Sequence, residues 1–313
     1  MSTYLVTGGG GFIGSNIAHE LVRRGEKVRI LDNFSTGNRK NISDIRDDIE
    51  LIEADIRDLE SVLHAVKGVD FVLHQAALPS VARSVSEPIT SNEVNASGTL
   101  NMLVAARDAG VKRFVFAASS SVYGDTPELP KREDMVPRPL SPYAVTKLLG
   151  EHYCRIFYNL YGLGTVSLRY FNVFGPGQDP SSQYSAAIPK FITATIKDES
   201  ITVYGDGEQS RDFTYVQNVV NANLLACEAP NAGGAFMNIA CGNGTTLNQL
   251  ISSIERELDI KANIVYTDPK PGDVKHSIAD ISKAKELIGY EPVIGFDDGL
   301  AETVKWLVNG QKR

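Results

Sequence analysis

Tyr143 and Lys147 stand four residues apart in the run Ser141-Pro142-Tyr143-Ala144-Val145-Thr146-Lys147. On a helix that spacing puts a phenol and an ammonium on one face. The chemistry open to such a pair is general base catalysis by a phenolate near neutral pH. Free tyrosine ionises near pH 10, so this use requires a shift of about three units, roughly 4 kcal/mol. A neighbouring ammonium and the positive start of a helix both favour the phenolate. Ser141 suits an N-cap and Pro142 the first helical position, which puts Tyr143 in the first turn. Taken alone, a Tyr–Lys pair also fits a solvated helix face. Its weight comes from the hydroxyl run Ser119-Ser120-Ser121 upstream and from the start of the chain.

That start reads YLVTGGGGFIGS over residues 4–15. Tyr4 to Val6 have the length and composition of a buried strand, and Phe12-Ile13-Gly14 opens a segment of helical period. Gly8, Gly11 and Gly14 fall three apart. They meet the needs of a tight turn, close backbone approach to a pyrophosphate and a helix packed on the strand it leaves. The helix then points unpaired N–H groups at the phosphates. The next apolar run, Val28 to Leu31, ends in Asp32. An acid there accepts from an adenosine ribose and repels a 2′-phosphate, favouring NAD over NADP.

Positioning these groups takes a regular alternation of elements. After the polar loop from Asn33 come a strand over Glu50 to Ala54 that ends in Asp55-Ile56, a helix near Asp58 to Val66, and a strand Phe71 to His74. Gln75-Ala76-Ala77 follow, small enough to let a dinucleotide lie across a strand end. A long helix is predicted from Pro88 to Ala109, and Phe114 to Phe116 form a strand running into the serines. Short connections between strands and helices mean parallel βαβ units with right-handed crossovers. Ligands of such sheets sit outside the carboxyl ends of the strands, so one site collects the glycine turn, Asp32, Asp55, Ala76 and Ser119. The fold expected is α/β: a Rossmann-type doubly wound parallel sheet with a smaller mixed C-terminal lobe. Its boundary is placed after residue 172, with residues of about 210–240 returning to the sheet.

The 313 residues, 42% hydrophobic, can bury a substantial core. A net charge of −7 with scattered basic residues excludes a nucleic-acid surface or polybasic membrane patch. No apolar run approaches the roughly 20 residues that span a bilayer. Nor do signal-peptide flanks precede the first strand, so a cytoplasmic protein is expected. Cys154, Cys227 and Cys241 show no metal-ligand spacing, and three thiols cannot all pair.

TGGGGFIG, DNFSTG, HQAA, SSSVYG and SPYAVTK together resemble the extended short-chain dehydrogenase/reductase family. RYFNVFGPGQ, YGDG, SRDFTYV and PGDVKHSIAD resemble its nucleotide-sugar epimerase branch, with UDP-N-acetylglucosamine and UDP-glucose 4-epimerases nearest. The resemblance implies that Tyr143 is the base, that Lys147 tunes it and holds the nicotinamide ribose, and that Ser119 hydrogen-bonds the reacting hydroxyl. Ser120 and Ser121 are close alternatives, and spacing alone does not decide among them. It also implies NAD contacts from Gly8, Gly11, Phe12, Ile13, Asp32, Asn33, Ser35, Thr36, Gly37, Asp55, Ile56, Gln75, Ala76, Ala77, Asn95 and Phe171.

For the sugar nucleotide the resemblance implies Ser80, Val81 and Ser121, and Asn172 on the diphosphate or sugar. Uridine-binding loops are expected at Ala186 to Phe191 and Ile201 to Gly207, through Ala186, Ala187, Thr202 and Tyr204. Arg211 and Lys270 would neutralise the diphosphate, and Asp273 would accept from a ribose hydroxyl. Lys270 departs from the family's usual arginine and loses its fork. Ser277 and Ala186 are small where enzymes strict for plain hexoses carry larger residues, which leaves room for a 2-acetamido group. The expected reaction is therefore C4 epimerisation of UDP-GlcNAc, with UDP-glucose also turned over. Rival readings are a UDP-glucuronate 4-epimerase, whose extra carboxylate needs an arginine that the sequence does not place, and an NAD-sensing protein. A dehydratase or decarboxylase is disfavoured because Ser120 and Ser121 occupy places where those enzymes carry acids. Leu148, Leu149, Tyr153, Ile156, Phe157 and Leu160 give the helix after Ser141 more apolar surface than one sheet face needs. A homodimer through that helix is expected, and burial against the C-terminal lobe is the alternative.

Overall fold

Strand β1 (Thr3–Thr7) is buried from Tyr4 onward and shows its side chains to two cores in turn. Tyr4 and Val6 join one cluster and Leu5 the other. A computed structural model describes residues 1–180, 187–269 and 275–311. Helix α1 (Phe12–Arg23) follows the glycine turn, then β2 (Lys27–Leu31), β3 (Ile49–Ile52), α2 (Leu59–Ala65), β4 (Phe71–His74), α3 (Val81–Ser86), α4 (Pro88–Asn92) and α5 (Thr99–Asp108). Then come β5 (Arg113–Ser119), α6 (Pro142–Tyr161) and β6 (Thr165–Tyr170). The helix predicted over 88–109 is one helical run interrupted by a π-turn at Glu93–Gly98, the residue type of turn that often marks a functional position.

The chain continues through β7 (Val173–Phe174), α7 (Ala187–Ile196), β8 (Ser200–Tyr204), β9 (Ser210–Arg211), β10 (Thr214–Tyr215), α8 (Val216–Glu228) and β11 (Ala235–Ile239). It ends with β12 (Thr245–Thr246), α9 (Leu247–Leu258), β13 (Asn263–Thr267), β14 (His276–Ser277), α10 (Ser282–Ile288) and α11 (Phe296–Gln311). Seven strands form the main sheet in the order β11-β6-β5-β4-β1-β2-β3, every pair parallel. Order reverses between β1 and β4, where a doubly wound sheet opens its binding crevice. Helices α1 and α8 cover one face through Ile17, Leu21, Val219 and Val220. Helices α2, α5 and α6 cover the other through Val62, Leu103, Cys154 and Phe157. The later segment α8–β11 thus belongs to the sheet.

Helices α7, α9 and α11 with the short strands β7 and β10 form a smaller lobe around Phe174, Ile188, Ile192, Leu250, Leu300 and Val304, whereas α10 packs against the main core through Ala284 and Ile288. Two of the sequence expectations differ here. The segments read as uridine-binding loops are the start of α7 and most of β8, with only Gly205–Gly207 left as a turn. The reason is apolar spacing. Ile188 and Ile192 lie one turn apart in the lobe core, and Ile201 and Val203 alternate inward on β8.

Candidate active site

A cleft of about 1370 Å³ runs along the carboxyl ends of β1, β2, β4 and β5. Its floor is the glycine turn. Gly8 has φ +70°, and a Cβ there would lie 2.7 Å from the backbone nitrogen of Ala76, so no side chain fits. Gly11 caps α1 without any side-chain cap, which leaves the first N–H groups of the helix to the cleft. Asp32 stands at the end of β2 and is 8% exposed. Its carboxylate accepts from the N–H of Gly10 at 2.8 Å and of Phe34 at 2.7 Å, tying the turn to the loop that follows. Burial pushes the Asp32 carboxyl up, and the two backbone bonds oppose that rise. Phe12, Ile13, Asn33, Ser35, Thr36, Gly37, Asp55, Ile56, Gln75 and Ala77 line the same cleft. Bare helix N–H groups, a backbone too close for a Cβ and one carboxylate at the neighbouring strand end fit a dinucleotide with an unsubstituted ribose.

At the other end Tyr143 and Lys147 rise from α6. Ser141 caps this helix, accepting from the Ala144 N–H at 3.2 Å. Lys147 is 5% exposed, donates to the Ala117 carbonyl at 2.8 Å and stands 6.0 Å from the centre of the Tyr143 ring. Burial lowers its ammonium to about 8. Burial likewise pushes the Tyr143 phenol up, and a hydrogen bond from Ser119 works against it. Ser119 also accepts from the Ser121 N–H at 3.2 Å and so starts the tight turn Ser120–Tyr123. Of the three serines it is the one that acts on the phenol. The Ser121 hydroxyl is buried and meets no partner among the described residues.

Residues 4–242 match the model of the NAD dependent epimerase/dehydratase family. The chain belongs to that family. It is 41% identical to a solved UDP-N-acetylglucosamine 4-epimerase from Methanobrevibacter ruminantium in complex with UDP-N-acetylmuramic acid, at a TM-score of 0.94 over 99% of each chain. Thermus thermophilus UDP-glucose 4-epimerase, solved with NAD, is 36% identical at a TM-score of 0.89, covering 98% of this chain and 99% of that one. A UDP-glucuronate 4-epimerase of Thermodesulfobacterium geofontis is 35% identical over 98% of this chain and 96% of its own. NAD is the cofactor of this family, and the glycine turn and Asp32 suit it.

Two residues assigned to the cofactor lie elsewhere. Phe171 is fully buried among Val122, Tyr123, Met135, Ala240 and Ala279 and does not line the cleft. Asn95 sits in the π-turn, also buried. It accepts from the Leu78 N–H at 2.7 Å and donates to the Leu78 carbonyl and Thr146 hydroxyl, both at 3.2 Å. It therefore ties the strand-end loop after Ala77 to α6. On the sugar side Ser80 lines the cleft and caps α3, whereas Val81 turns to solvent. Arg211 and Ser277 pair in register between β9 and β14. Asn172, at φ +32°, donates to the Asp212 carbonyl at 3.2 Å beside them. Ala187 opens α7, and Thr202 and Tyr204 face outward on β8, paired with β13 away from the main sheet. Ala186, Lys270 and Asp273 lie outside the described residues.

Several working groups escaped the sequence reading. His74 bridges Thr7 at 2.7 Å and Thr99 at 3.0 Å. Thr99 donates to the Asn95 carbonyl at 2.6 Å, so its oxygen accepts from His74 Nε2, and Nδ1 accepts from Thr7. Full burial drops this imidazole to about 3, neutral at every working pH. The chain Thr7–His74–Thr99–Asn95–Thr146 fixes the two strand ends against α6. Tyr170 and Arg83 also line the cleft, and Arg83 is its one arginine among the described residues. Thr7 and His74 lie 67 positions apart, a separation at which sequence spacing carries no signal.

Proposed function

We propose that this protein is a UDP-hexose 4-epimerase that keeps NAD tightly bound. Its best pair would be UDP-GlcNAc and UDP-GalNAc, with UDP-glucose and UDP-galactose also interconverted. One observation carries the reading: Tyr143, with Ser119 on its phenol and Lys147 one turn behind, faces the same cleft as the glycine turn and Asp32. Tyr143 takes the proton of the sugar 4-hydroxyl while Ser119 holds that oxygen. NAD, when bound, supplies a hydride acceptor for C4 and gives the hydride back. The flat 4-ketopyranose, tethered by UDP, turns over between the two transfers, so C4 inverts with no net redox change. Burial alone holds the phenol protonated. The Lys147 ammonium and the positive charge of an oxidised nicotinamide supply the field that favours phenolate. Ser121 is suited to a sugar hydroxyl, because its own oxygen is buried and unpaired among the described residues.

In this reading residues 1–172, with about 210–240, hold NAD, and 173–313 hold the sugar nucleotide. Asn172 and Arg211 take the diphosphate with Lys270. Ala187, Thr202, Tyr204 and Asp273 take the uridine, and Ser277 and Ala186 leave room for an acetamido group. Val145, Ile156, Leu160 and Tyr161 on α6 and Val85 and Ile89 beside it remain exposed, uncovered by the C-terminal lobe. That apolar face supports a homodimer, and no helix among the described residues is long and apolar enough to cross a membrane. We place the protein in the cytoplasm.

Arg83 supports a second reading. A guanidinium on the sugar side of the cleft suits a carboxylate, as on a UDP-glucuronate. Incubation without added NAD, with UDP-GlcNAc, UDP-glucose and UDP-glucuronate separately, distinguishes the two by which 4-epimer forms. A product lacking water or carbon dioxide would point to a dehydratase or decarboxylase. No product from any of the three would favour an NAD sensor.

A further inference from the structure

Arg169 and Glu151 make a bidentate ion pair almost out of reach of water. Their side chains are 1% and 4% exposed, with Nε to Oε1 at 2.9 Å and Nη2 to Oε2 at 2.7 Å. Buried pairs of this kind are often no more stabilising than apolar residues of similar volume. Arg169 Nη1 is moreover buried without a partner among the described residues, a cost that packing alone does not explain. The location of the pair does. Glu151 lies one turn beyond Lys147 and two beyond Tyr143, on the same face of α6. Arg169 lies on β6 opposite Ala118, one register position before the Ser119–Tyr170 pair.

The guanidinium carbon also sits 4.8 Å from the ring centre of Tyr123 and 4.4 Å from that of Phe236. Tyr123 closes the turn that Ser119 starts, and its hydroxyl donates to Asn238 at 2.7 Å. Glu133 accepts from the Asn238 N–H at 2.7 Å, and Lys283 covers the Phe236 ring at 4.3 Å. One side chain thus touches the helix of Tyr143 and Lys147 and the turn of Ser119. Neither Arg169 nor Glu151 lines the cleft.

We propose that the Glu151–Arg169 pair is a positioning device, which fixes the slide and rotation of α6 on β6 so that the Tyr143 oxygen stays on Ser119. Two parallel charge-assisted hydrogen bonds define an orientation, whereas an apolar contact tolerates sliding. The inference rests on the 4-epimerase reading.

The test is the double variant Glu151→Leu/Arg169→Met beside Arg169→Lys. The readouts are Tm, bound NAD, and kcat and KM on whichever UDP-hexose the parent turns over. The double variant should fold, keep NAD and hold KM within about threefold, while kcat falls about 10- to 100-fold, as expected for a sub-ångström misplacement of the base. Arg169→Lys keeps the charge without the fork and should fall between. If the double variant does not fold, Glu151→Gln gives the same comparison, its kcat falling at constant KM. A folded variant with parental kcat overturns the proposal, as does a loss in which NAD content and KM worsen in step. A parent inactive on every UDP-hexose overturns the activity reading and this proposal together, whereas an active parent with an unaffected variant overturns only this one.

Discussion

Replacing Lys147 with Met should abolish most activity without destabilising the cofactor-free protein at pH 7. The ammonium is 5% exposed, and its drop from 10.5 to about 8 corresponds to about 3 kcal/mol of burial cost at neutral pH. Met removes that cost. It also removes the charge-assisted bond to the Ala117 carbonyl, worth about 1.5–3 kcal/mol, so the two changes nearly offset at pH 7. The sign is clearer along the pH axis. Between pH 8 and 10.5 the unfolded chain binds this proton and the folded chain does not, so the parent gains stability as pH rises. The variant has no such group. The stability of Lys147→Met relative to the parent should therefore fall by about 1.4 kcal/mol per pH unit from pH 8 upward. Urea unfolding of both proteins, stripped of NAD, at pH 7, 8, 9 and 10 measures it. Stripping matters because bound NAD stabilises the folded form by mass action. A difference flat across that range, or a variant several kcal/mol weaker at pH 7, would show that the ammonium is not buried at a cost and would refute the reasoning.

Tyr143→Phe should lower turnover by about three orders of magnitude while UDP still binds, read by kinetics beside calorimetry of UDP binding. Gly8→Ala places a Cβ 2.7 Å from Ala76 N at φ +70°, so NAD released on denaturation should fall to a small fraction of one per chain. His74→Gln removes an imidazole held near 3 in the fold and near 6.5 in the unfolded chain. The parent loses stability as pH falls through that window, so the variant should gain on it by about 2 kcal/mol between pH 6.5 and 5 in unfolding titrations. Ser277→Tyr, beside Arg211 in the β9–β14 register, should cut turnover of UDP-GlcNAc at least about tenfold and spare UDP-glucose.

Much of the nucleotide side was legible because its signals are local. The glycine turn needs particular backbone space within a few residues, and Asp32 and Asp55 follow apolar runs of strand length. Asn95 was legible as a polar residue in a helix. Its role depends on a π-turn that aims it at Leu78 and Thr146, and helical periodicity does not encode that turn. Phe171 stands beside Asn172 near strand ends, but its ring is taken by the Tyr123 core. The smaller lobe was harder still. Its strands β9, β12 and β14 are two residues each, too short to show alternation, and each pairs with residues more than thirty positions away.

Strands that short do not hold register by themselves. Asp212, directly after Arg211, does it for them. Its carboxylate accepts from the N–H groups of Cys241 at 2.8 Å, Gly242 at 2.9 Å and Ala279 at 3.2 Å. Burial outweighs those bonds and pushes the acid up to about 6, which is the cost of clamping two backbone segments around Arg211 and Ser277. Tyr143 is held by a different set of buried groups, Asn95 and Thr146 on one side of α6 and Glu151 on the other. None of these groups is shared with Asp212. On the proposed function, a side chain at Ser277 therefore changes the sugar admitted without moving Tyr143, because the two are anchored to separate buried clamps. Solved relatives named for two different UDP-sugars share this fold, as such an arrangement allows.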